Sequence, residues 1–252
     1  MKKIKKMDSL SREQLYFYEQ NGFLKIENVF EEKEIEALRK DLDDFSGGHY
    51  TSKLDSHYYG TIQKIHTGKK LCDIGDAILN DRSIPIGSIA FYCKPNNPLE
   101  HGSTWHQDNY AGRTPDGNNY LTLTVALDDA DADNGALMVI PGSHKWGELP
   151  CNPKPNFSRD NQGRLYASAP TGNNVDLPSD SQILQLDYKA GDVLALGGLL
   201  VHGAKKNEHK SRWRRSIYLI YIKDGEPFWP GFTSKRCLLD RYDSPNYKLG
   251  VK

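Results

Sequence analysis

The sequence predicts a mainly β protein in which helices come first and an antiparallel sandwich or barrel follows, a jelly roll being one such fold. Two observations support this prediction. Helix-like segments lie before Leu79, and short apolar runs punctuated by Gly, Pro, Asn and Asp come after it. No strand–helix–strand alternation follows Leu79, which argues against a parallel sheet.

The N-terminal part contains three predicted helices. The predicted elements are a helix from Ser11 to Asn21, a strand Phe23–Ile26, a helix from Glu31 to Phe45, an extended run Tyr58–Ile65 and a helix Lys70–Leu79. The first helix opens on a capping-box pattern, in which Ser11 is followed three residues later by Gln14. The second helix carries apolar residues at spacings of three or four and acidic residues in its first turn.

The remaining elements are short β runs separated by turns. They are Ile86–Cys93, Tyr120–Leu127, Ala136–Ile140, Gln182–Leu186, Val193–Leu196 and Trp213–Ile222. Strong turn sequences, such as Asp133-Asn134-Gly135 and Pro141-Gly142-Ser143, lie between them.

We expect residues 1–252 to form a single domain. Its predicted parts are a helical region over about 8–80, a β core over about 84–222 and an irregular tail over 223–252. The segment 145–181 is long, polar and rich in Pro, Asn, Ser and Gly. Such a segment inside a compact domain is typical of a lid or binding loop, and the alternative is a disordered surface insertion.

Composition excludes several classes of partner. Lys plus Arg and Asp plus Glu both number 33, so charge gives no reason to expect binding to nucleic acid or to an anionic membrane. The longest apolar run, Val193 to Val201, is too short to span a bilayer. The basic N-terminus lacks the apolar stretch of a signal peptide.

Four scattered cysteines without CxxC spacing predict reduced thiols in a cytoplasmic protein.

The segment Trp105-His106-Gln107-Asp108 is the strongest chemical signal. Residues i and i+2 of an extended chain point to the same face, so His106 and Asp108 can address one point while Gln107 turns away. An imidazole and a carboxylate are two of the three ligands in the facial triad of non-heme Fe(II) enzymes.

A second histidine must then return from elsewhere in the chain. His202 follows the apolar run Leu199–Val201 and lies 96 residues (202 − 106) beyond His106, which allows the intervening strands to wrap round. His101 is the rival, because it could pair locally with His106, although its surroundings indicate a loop. His144 lies at a turn, where a structural cap is expected.

A basic residue near the site would indicate an anionic co-substrate. In the strand from Arg212 to Tyr221, residue 214 lies on one face with residues 216, 218 and 220, and residue 215 lies on the other. An arginine inside a barrel is costly unless it meets an anion, and its guanidinium matches a carboxylate with two hydrogen bonds. The alternative is that these arginines form a solvated edge.

Several motifs occur in an order that resembles a known family. They are Trp105–Asp108, Val125–Ala130, Asn134–Leu137, Pro141–Lys145, His202-Gly203 and Arg214. From about Leu10 to Ile222 the chain resembles the phytanoyl-CoA dioxygenase family of Fe(II)- and 2-oxoglutarate-dependent oxygenases. The resemblance implies a double-stranded β-helix, or jelly roll, with the N-terminal helices packed on one sheet.

The resemblance also implies a site. His106, Asp108 and His202 would be the iron ligands and the catalytic centre, and Arg214 would bind the far carboxylate of the co-substrate 2-oxoglutarate. Arg214 is preferred to Arg215 because relatives have a small polar residue and an aliphatic one shortly after this arginine. Three protein ligands leave positions on Fe(II) for 2-oxoglutarate and O₂. The implied reaction hydroxylates a C–H bond and releases succinate and CO₂. Halogenating relatives have a small residue in place of Asp108, so hydroxylation is expected.

The chain departs from the family at two positions. Ala204 stands where relatives often have Ser, which removes a hydroxyl contact to the co-substrate. Thr124 stands where a Trp is common, which would widen the pocket.

The residues after the His-x-Asp motif indicate the class of substrate. Asn109, Tyr110, Arg113 and Thr124 are predicted to contact a small-molecule substrate, and their polarity favours a small polar or anionic molecule over a long acyl chain. Tyr92 is predicted to share an inward face with residues 88, 90 and 94, where it contacts the co-substrate or simply packs.

A different class of protein also fits part of this pattern. A cupin-type protein could bind Zn or Ni and act as an isomerase, a hydrolase or a ligand-binding module. An anion-binding Arg214 favours the dioxygenase.

Overall fold

The computed structural model describes residues 10–46, 51–52, 60–93, 102–109, 113–150, 157–159, 165–167, 175–229 and 237–247. The helices are α1 (Arg12–Asn21), α2 (Glu32–Ser46), α3 (Thr61–His66) and α4 (Lys69–Leu79). The strands are β1 (Phe23–Ile26), β2 (Thr51–Ser52), β3 (Ser83–Cys93), β4 (Ser103–His106), β5 (Tyr120–Ala126), β6 (Leu137–Val139), β7 (Phe157–Arg159), β8 (Leu165–Ala167), β9 (Leu184–Gln185), β10 (Val193–Gly197), β11 (His202–Ala204) and β12 (Arg214–Lys223).

Two antiparallel sheets form the β core. The larger sheet has the strand order β1-β10-β5-β12-β3-β2, and the smaller sheet has the order β4-β11-β6-β9. Strands that are neighbours in a sheet are distant in the chain, as a jelly roll requires. The predicted mainly β architecture with helices first is therefore confirmed.

The start and end of α1 follow the predicted signals. The Ser11 hydroxyl accepts a hydrogen bond from the Gln14 amide, and the Gln14 side chain accepts one from the Ser11 amide at 2.9 Å. Gly22 ends the helix at φ 79°, and a Cβ at this position would lie 2.5 Å from the His144 ring. His144 bonds through Nε2 to the Glu19 carbonyl at 3.0 Å, which fixes the end of α1.

The helices cover one face of the larger sheet. Ile35, Leu38 and Leu42 of α2 are fully buried in the main core cluster, together with residues of α4. The sheet contributes side chains from alternate positions of two central strands: Leu121, Leu123, Val125, Ile217, Leu219 and Tyr221. Burying each large aliphatic side chain stabilises the fold by about 2–3 kcal/mol, so this interface anchors the helices.

The prediction of an extended run over Tyr58–Ile65 is wrong within the described residues. Residues 61–66 form α3, in which Ile62 and His66 lie one turn apart and are both buried. A spacing of four places two side chains on the same helical face, and that burial outweighs the β-like composition of the run.

The segment 145–181 contains a two-stranded hairpin, β7 paired with β8. Residues 151–156, 160–164 and 168–174 lie outside the described residues, so the lid remains a prediction. The predicted strand Gln182–Leu186 is reduced to β9, at the edge of the smaller sheet.

Residues 237–247 of the tail are attached to the fold through a buried arginine, among other contacts. Arg241 is 2% exposed and bonds to both carboxylate oxygens of Asp76, at 2.7 and 2.9 Å, and to the Ser83 carbonyl at 2.8 Å.

Among the described residues, no helix is both long and apolar enough to cross a membrane.

Candidate metal centre

The two histidines of the site meet across neighbouring strands. In the register of β4 and β11, His106 lies directly opposite His202. Their rings are 4.3 Å apart between centroids and are tilted by 48°. The fold therefore brings together two imidazoles that are far apart in the chain.

Asp108 completes the cluster from the turn that follows β4. Its Oδ1 lies 3.6 Å from Nε2 of His106 and 3.7 Å from Nε2 of His202. The potential ligand atoms of the three residues all lie within 4.8 Å of one another, and no other such group is found in the part of the chain that the structure describes. This donor set, two imidazole nitrogens and one carboxylate, fits Fe(II) in a facial triad.

The hydrogen bonds of the rings fix which nitrogen faces the centre. Nδ1 of His106 is 2.6 Å from the Thr104 carbonyl, and Nδ1 of His202 is 3.0 Å from the Leu200 carbonyl. A carbonyl can only accept, so each Nδ1 carries the proton and donates it. Both Nε2 atoms therefore present a lone pair to the centre, an orientation that metal-binding histidines commonly have.

The surroundings also set the protonation states that metal binding requires. Burial, together with the neighbouring His202, lowers the pKa of His106 to about 4, so this imidazole is neutral at neutral pH. Burial alone would raise the pKa of Asp108, but its electrostatic interactions with His202 and His106 and a hydrogen bond from Thr122 hold the pKa below its ordinary value. A neutral imidazole and an ionised carboxylate are the forms that bind a metal.

The neighbouring arginines of β12 have different surroundings. Arg214 is 4% exposed, and its Nη2 lies 3.4 Å from the carbonyl of Lys205, just past β11. Arg215 is held by Asp128, to which Nε and Nη2 each donate at 2.9 Å. Arg214 therefore lies on the buried side next to the strand of His202, and Arg215 lies in a charge pair on the opposite side.

Asn109 and Arg113, two of the residues predicted to contact substrate, differ in their burial and in their interactions. Asn109 is 1% exposed, and its side-chain amide bonds to the backbone and hydroxyl of Thr114 at 2.8 to 3.1 Å, which gives it a loop-closing role. Arg113 is half-buried, and its charge acts on both His106 and Asp108. Tyr110 lies outside the described residues, as does the rival ligand His101.

Thr124 lies on β5 and Tyr92 on β3 of the larger sheet. Thr124 is 1% exposed on β5, and its hydroxyl has no hydrogen-bond partner among the described residues. Position 92 pairs with Arg215, whereas position 93 pairs with Arg214. The side chain of Tyr92 lies outside the described part of the structure. The contact of Tyr92 with the co-substrate therefore stays a prediction.

Two further residues support the site and were not identified from the sequence. Gln107 points away from the cluster, as predicted, but it also donates to the carbonyls of Gly147 and Leu199 and accepts from the Leu149 amide. Thr122 donates from its hydroxyl to Oδ2 of Asp108 at 2.6 Å. Neither set of contacts belongs to a motif, and each depends on segments that only the folded chain brings together.

Solved structures of other proteins have a similar fold. EctD from S. alaskensis, in its apoform, superposes with a TM-score of 0.68 at 19% identity, covering 95% of this chain and 87% of that one. HygX from Streptomyces hygroscopicus, with nickel and 2-oxoglutarate bound, gives a TM-score of 0.63 at 19% identity over 88% and 90% of the two chains. At this identity the likeness concerns the fold alone, and it confirms the predicted jelly roll.

Sequence comparison gives the family. A phytanoyl-CoA dioxygenase from Arabidopsis thaliana is 24% identical over 267 residues, covering 84% of this chain and 89% of the relative. An ectoine dioxygenase from Bordetella bronchiseptica is 24% identical over 241 residues, covering 85% and 76%. The family model for phytanoyl-CoA dioxygenase (PhyH) matches residues 18–216, which include the His-Asp-His cluster and Arg214. The chain therefore belongs to the phytanoyl-CoA dioxygenase (PhyH) family and is an iron- and 2-oxoglutarate-dependent dioxygenase.

Proposed function

We propose that the protein hydroxylates an unactivated C–H bond of a small polar molecule, with Fe(II) held by His106, Asp108 and His202. The convergence of these three side chains is the observation that carries the proposal. When bound, iron and 2-oxoglutarate supply the oxidising chemistry, in which O₂ is consumed and succinate and CO₂ are released.

The protein itself orients the ligand side chains and excludes water from them. The carbonyls of Thr104 and Leu200 hold both imidazoles with Nε2 toward the centre. His106 and His202 are almost inaccessible to solvent, with exposures of 9% and 2%. A dry, preorganised ligand set requires little rearrangement during the reaction.

Arg214 is the proposed contact for the far carboxylate of 2-oxoglutarate. It reaches the carbonyl of Lys205, three residues past His202, so its guanidinium lies beside the strand that carries a metal ligand. Arg215 already forms a charge pair with Asp128, which makes it the weaker choice. A planar guanidinium can hold a carboxylate through two parallel hydrogen bonds.

The substrate class is proposed as small and polar. Arg113 brings positive charge close enough to affect Asp108 and His106, which favours a substrate with a polar or anionic group. Relatives include both an ectoine dioxygenase and phytanoyl-CoA dioxygenases, so family membership alone does not select between polar and acyl substrates.

A cytoplasmic location is also proposed. The buried thiol of Cys72 is not part of a disulfide, as is usual for a protein of a reducing compartment.

A spectroscopic experiment tests the activity. Under anaerobic conditions, protein with Fe(II) and 2-oxoglutarate should show a weak visible charge-transfer band, and succinate should appear after air is admitted. The Asp108→Ala variant should lose the band, and zinc should not replace iron in either step.

The alternative cupin-type function makes the opposite prediction. If 2-oxoglutarate neither binds nor is consumed while Asp108 and His202 are intact, the dioxygenase proposal is wrong. If 2-oxoglutarate is consumed, the substrate can be identified through succinate release, measured across a panel of amines, amino acids, phosphonates and acyl-CoAs.

A further inference from the structure

Thr122 occupies a rigid position next to the metal centre. It lies on β5, a strand flanked on both sides by β10 and β12, and it pairs with Leu196 on one side and Ile220 on the other. Its side chain is 2% exposed. A residue in the middle of a sheet has little freedom to move, so any group it holds is held firmly.

The two oxygens of Asp108 have different partners. Oδ1 faces Nε2 of both histidines, at 3.6 and 3.7 Å. Oδ2 accepts the hydroxyl hydrogen of Thr122 at 2.6 Å. Because a threonine hydroxyl has one hydrogen and a carboxylate has none, the direction of this bond is unambiguous.

Asp108 depends on this contact because it lies outside the sheet. The pairing of β4 with β11 includes His106 but does not extend to residue 108, which lies in a turn. The turn itself is tied by the Asn109 amide, which donates to the carbonyl of Gly198 at 2.8 Å. Within the described residues, the Thr122 hydroxyl is the hydrogen-bond donor that orients the carboxylate.

We infer that Thr122 is a positioning residue that keeps Asp108 a ligand through one oxygen only. This inference rests on the proposed metal site. A carboxylate that also turned Oδ2 toward the ion would occupy a coordination position that the co-substrate or O₂ needs. Thr122 therefore preserves the open positions of the site without touching the ion.

The test compares metal binding by wild-type protein and by three variants. Thr122→Val has nearly the same shape and lacks the hydroxyl, whereas Thr122→Ser keeps it. Thr67→Val removes a buried hydroxyl at the end of α3, which bonds to the Gln63 carbonyl and not to Asp108. The affinity for Co(II) is titrated through its visible absorption, without substrate or co-substrate.

The inference predicts a specific order of affinities. Thr122→Val should weaken Co(II) binding by roughly 10- to 100-fold, as removal of a group that orients a ligand typically does. Its visible spectrum should also change, because the carboxylate is free to bind through both oxygens. Thr122→Ser should stay within about threefold of wild type, and Thr67→Val should bind as wild type does.

Two results would overturn the inference while leaving the metal site intact. One is a Thr122→Val variant with the wild-type affinity and spectrum. The other is a Thr122→Ser variant as weak as Thr122→Val, which would assign the loss to packing. If Thr122→Val does not fold, as judged by circular dichroism of the apoprotein, Thr122→Ser and Thr122→Ala provide the same comparison. Absence of Co(II) binding by wild-type protein would instead refute the proposed function and this inference with it.

Discussion

Arg214 and Arg215 are adjacent in the chain and have opposite surroundings. Arg214 is buried beside the end of β11, whereas Arg215 bonds to Asp128 and lies over the Trp213 ring at 5.6 Å. Alternation along β12 is the reason, because consecutive strand residues point to opposite faces. One position along β12 therefore separates the proposed co-substrate contact from a partly buried ion pair.

This difference leads to a prediction about co-substrate binding. Arg214→Gln should raise the dissociation constant of 2-oxoglutarate by roughly 30-fold or more, since removing one partner of a buried charge pair costs about 2 kcal/mol or more. Anaerobic calorimetry with the Fe(II)-loaded protein measures this constant.

Arg215→Gln is the matched control. It should bind 2-oxoglutarate as the wild type does, while losing some stability because Asp128 loses its bidentate partner. Equal weakening by both substitutions would show that the register does not assign the role.

At the scale of elements, the end of α3 packs against β12 through a buried histidine. His66 is 1% exposed, and its Nε2 bonds to the Ile220 carbonyl at 3.1 Å. The ring also packs edge-on against Tyr221, with 5.1 Å between centroids. Burial lowers the pKa of His66 to about 4, so the ring is neutral in the folded protein.

The stability of the apoprotein should therefore fall on acidification. Between pH 6.5 and 4 the unfolded chain binds a proton at this histidine and the folded chain does not, so stability is fully present above pH 6.5 and is lost toward pH 4. The loss attributable to His66 is about 2 kcal/mol by pH 5.

Urea unfolding of the apoprotein at pH 7 and pH 5 measures this loss. His66→Gln keeps a donor for the Ile220 carbonyl and cannot titrate, so its two free energies of unfolding should differ by less than those of wild type. An unchanged difference would mean that other groups, such as His106, account for the whole pH dependence.

Most elements could be predicted from the sequence, because their signals are local. The cap of α1, the apolar spacing of α2 and the turn-bounded strands need only neighbouring residues. The helix α3 was missed because it is a short element whose helical state depends on burying Ile62 and His66 against the rest of the fold. The membership of β1 in the larger sheet is likewise a long-range property, since its partner is β10.

The candidate site likewise has a part that could be predicted from the sequence and a part that could not. His106, Asp108 and His202 could be found from a two-residue spacing and a distant histidine after an apolar run. The contact of Thr122 with Asp108 could not be found, because it joins a strand to a turn at a spacing that carries no pattern. Which side chain supports a ligand depends on long-range contacts in the fold, whereas the ligands themselves can only be of a few residue types.

At the scale of the whole molecule, the described tail is part of the fold. Arg241 is buried and joins residues 237–247 to α4 and to the start of β3, through Asp76 and Ser83. Tyr242 adds a backbone bond to the Thr67 carbonyl at 2.8 Å. The tail therefore binds the helical layer and the larger sheet at once.

Removing this arginine should destabilise the protein measurably. Arg241→Met should lower the free energy of unfolding by roughly 2–3 kcal/mol, less than for a fully buried pair because the Asp76 side chain is 34% exposed. Arg82→Met removes a surface pair with Asp243 and should cost less than about 1 kcal/mol. Urea unfolding followed by circular dichroism compares the two variants, and equal losses would contradict a special role for Arg241.

The pairing of His106 with His202 also limits the stage of synthesis and folding at which the protein can bind iron. A nascent chain that has reached His106 and Asp108 holds two of the three proposed ligands, because the partner strand has not yet been synthesised. The ion can be captured only after translation has passed β11 and that strand has docked beside β4. Iron loading is therefore a step of maturation, and its rate should follow the docking of the smaller sheet and not ribosomal elongation.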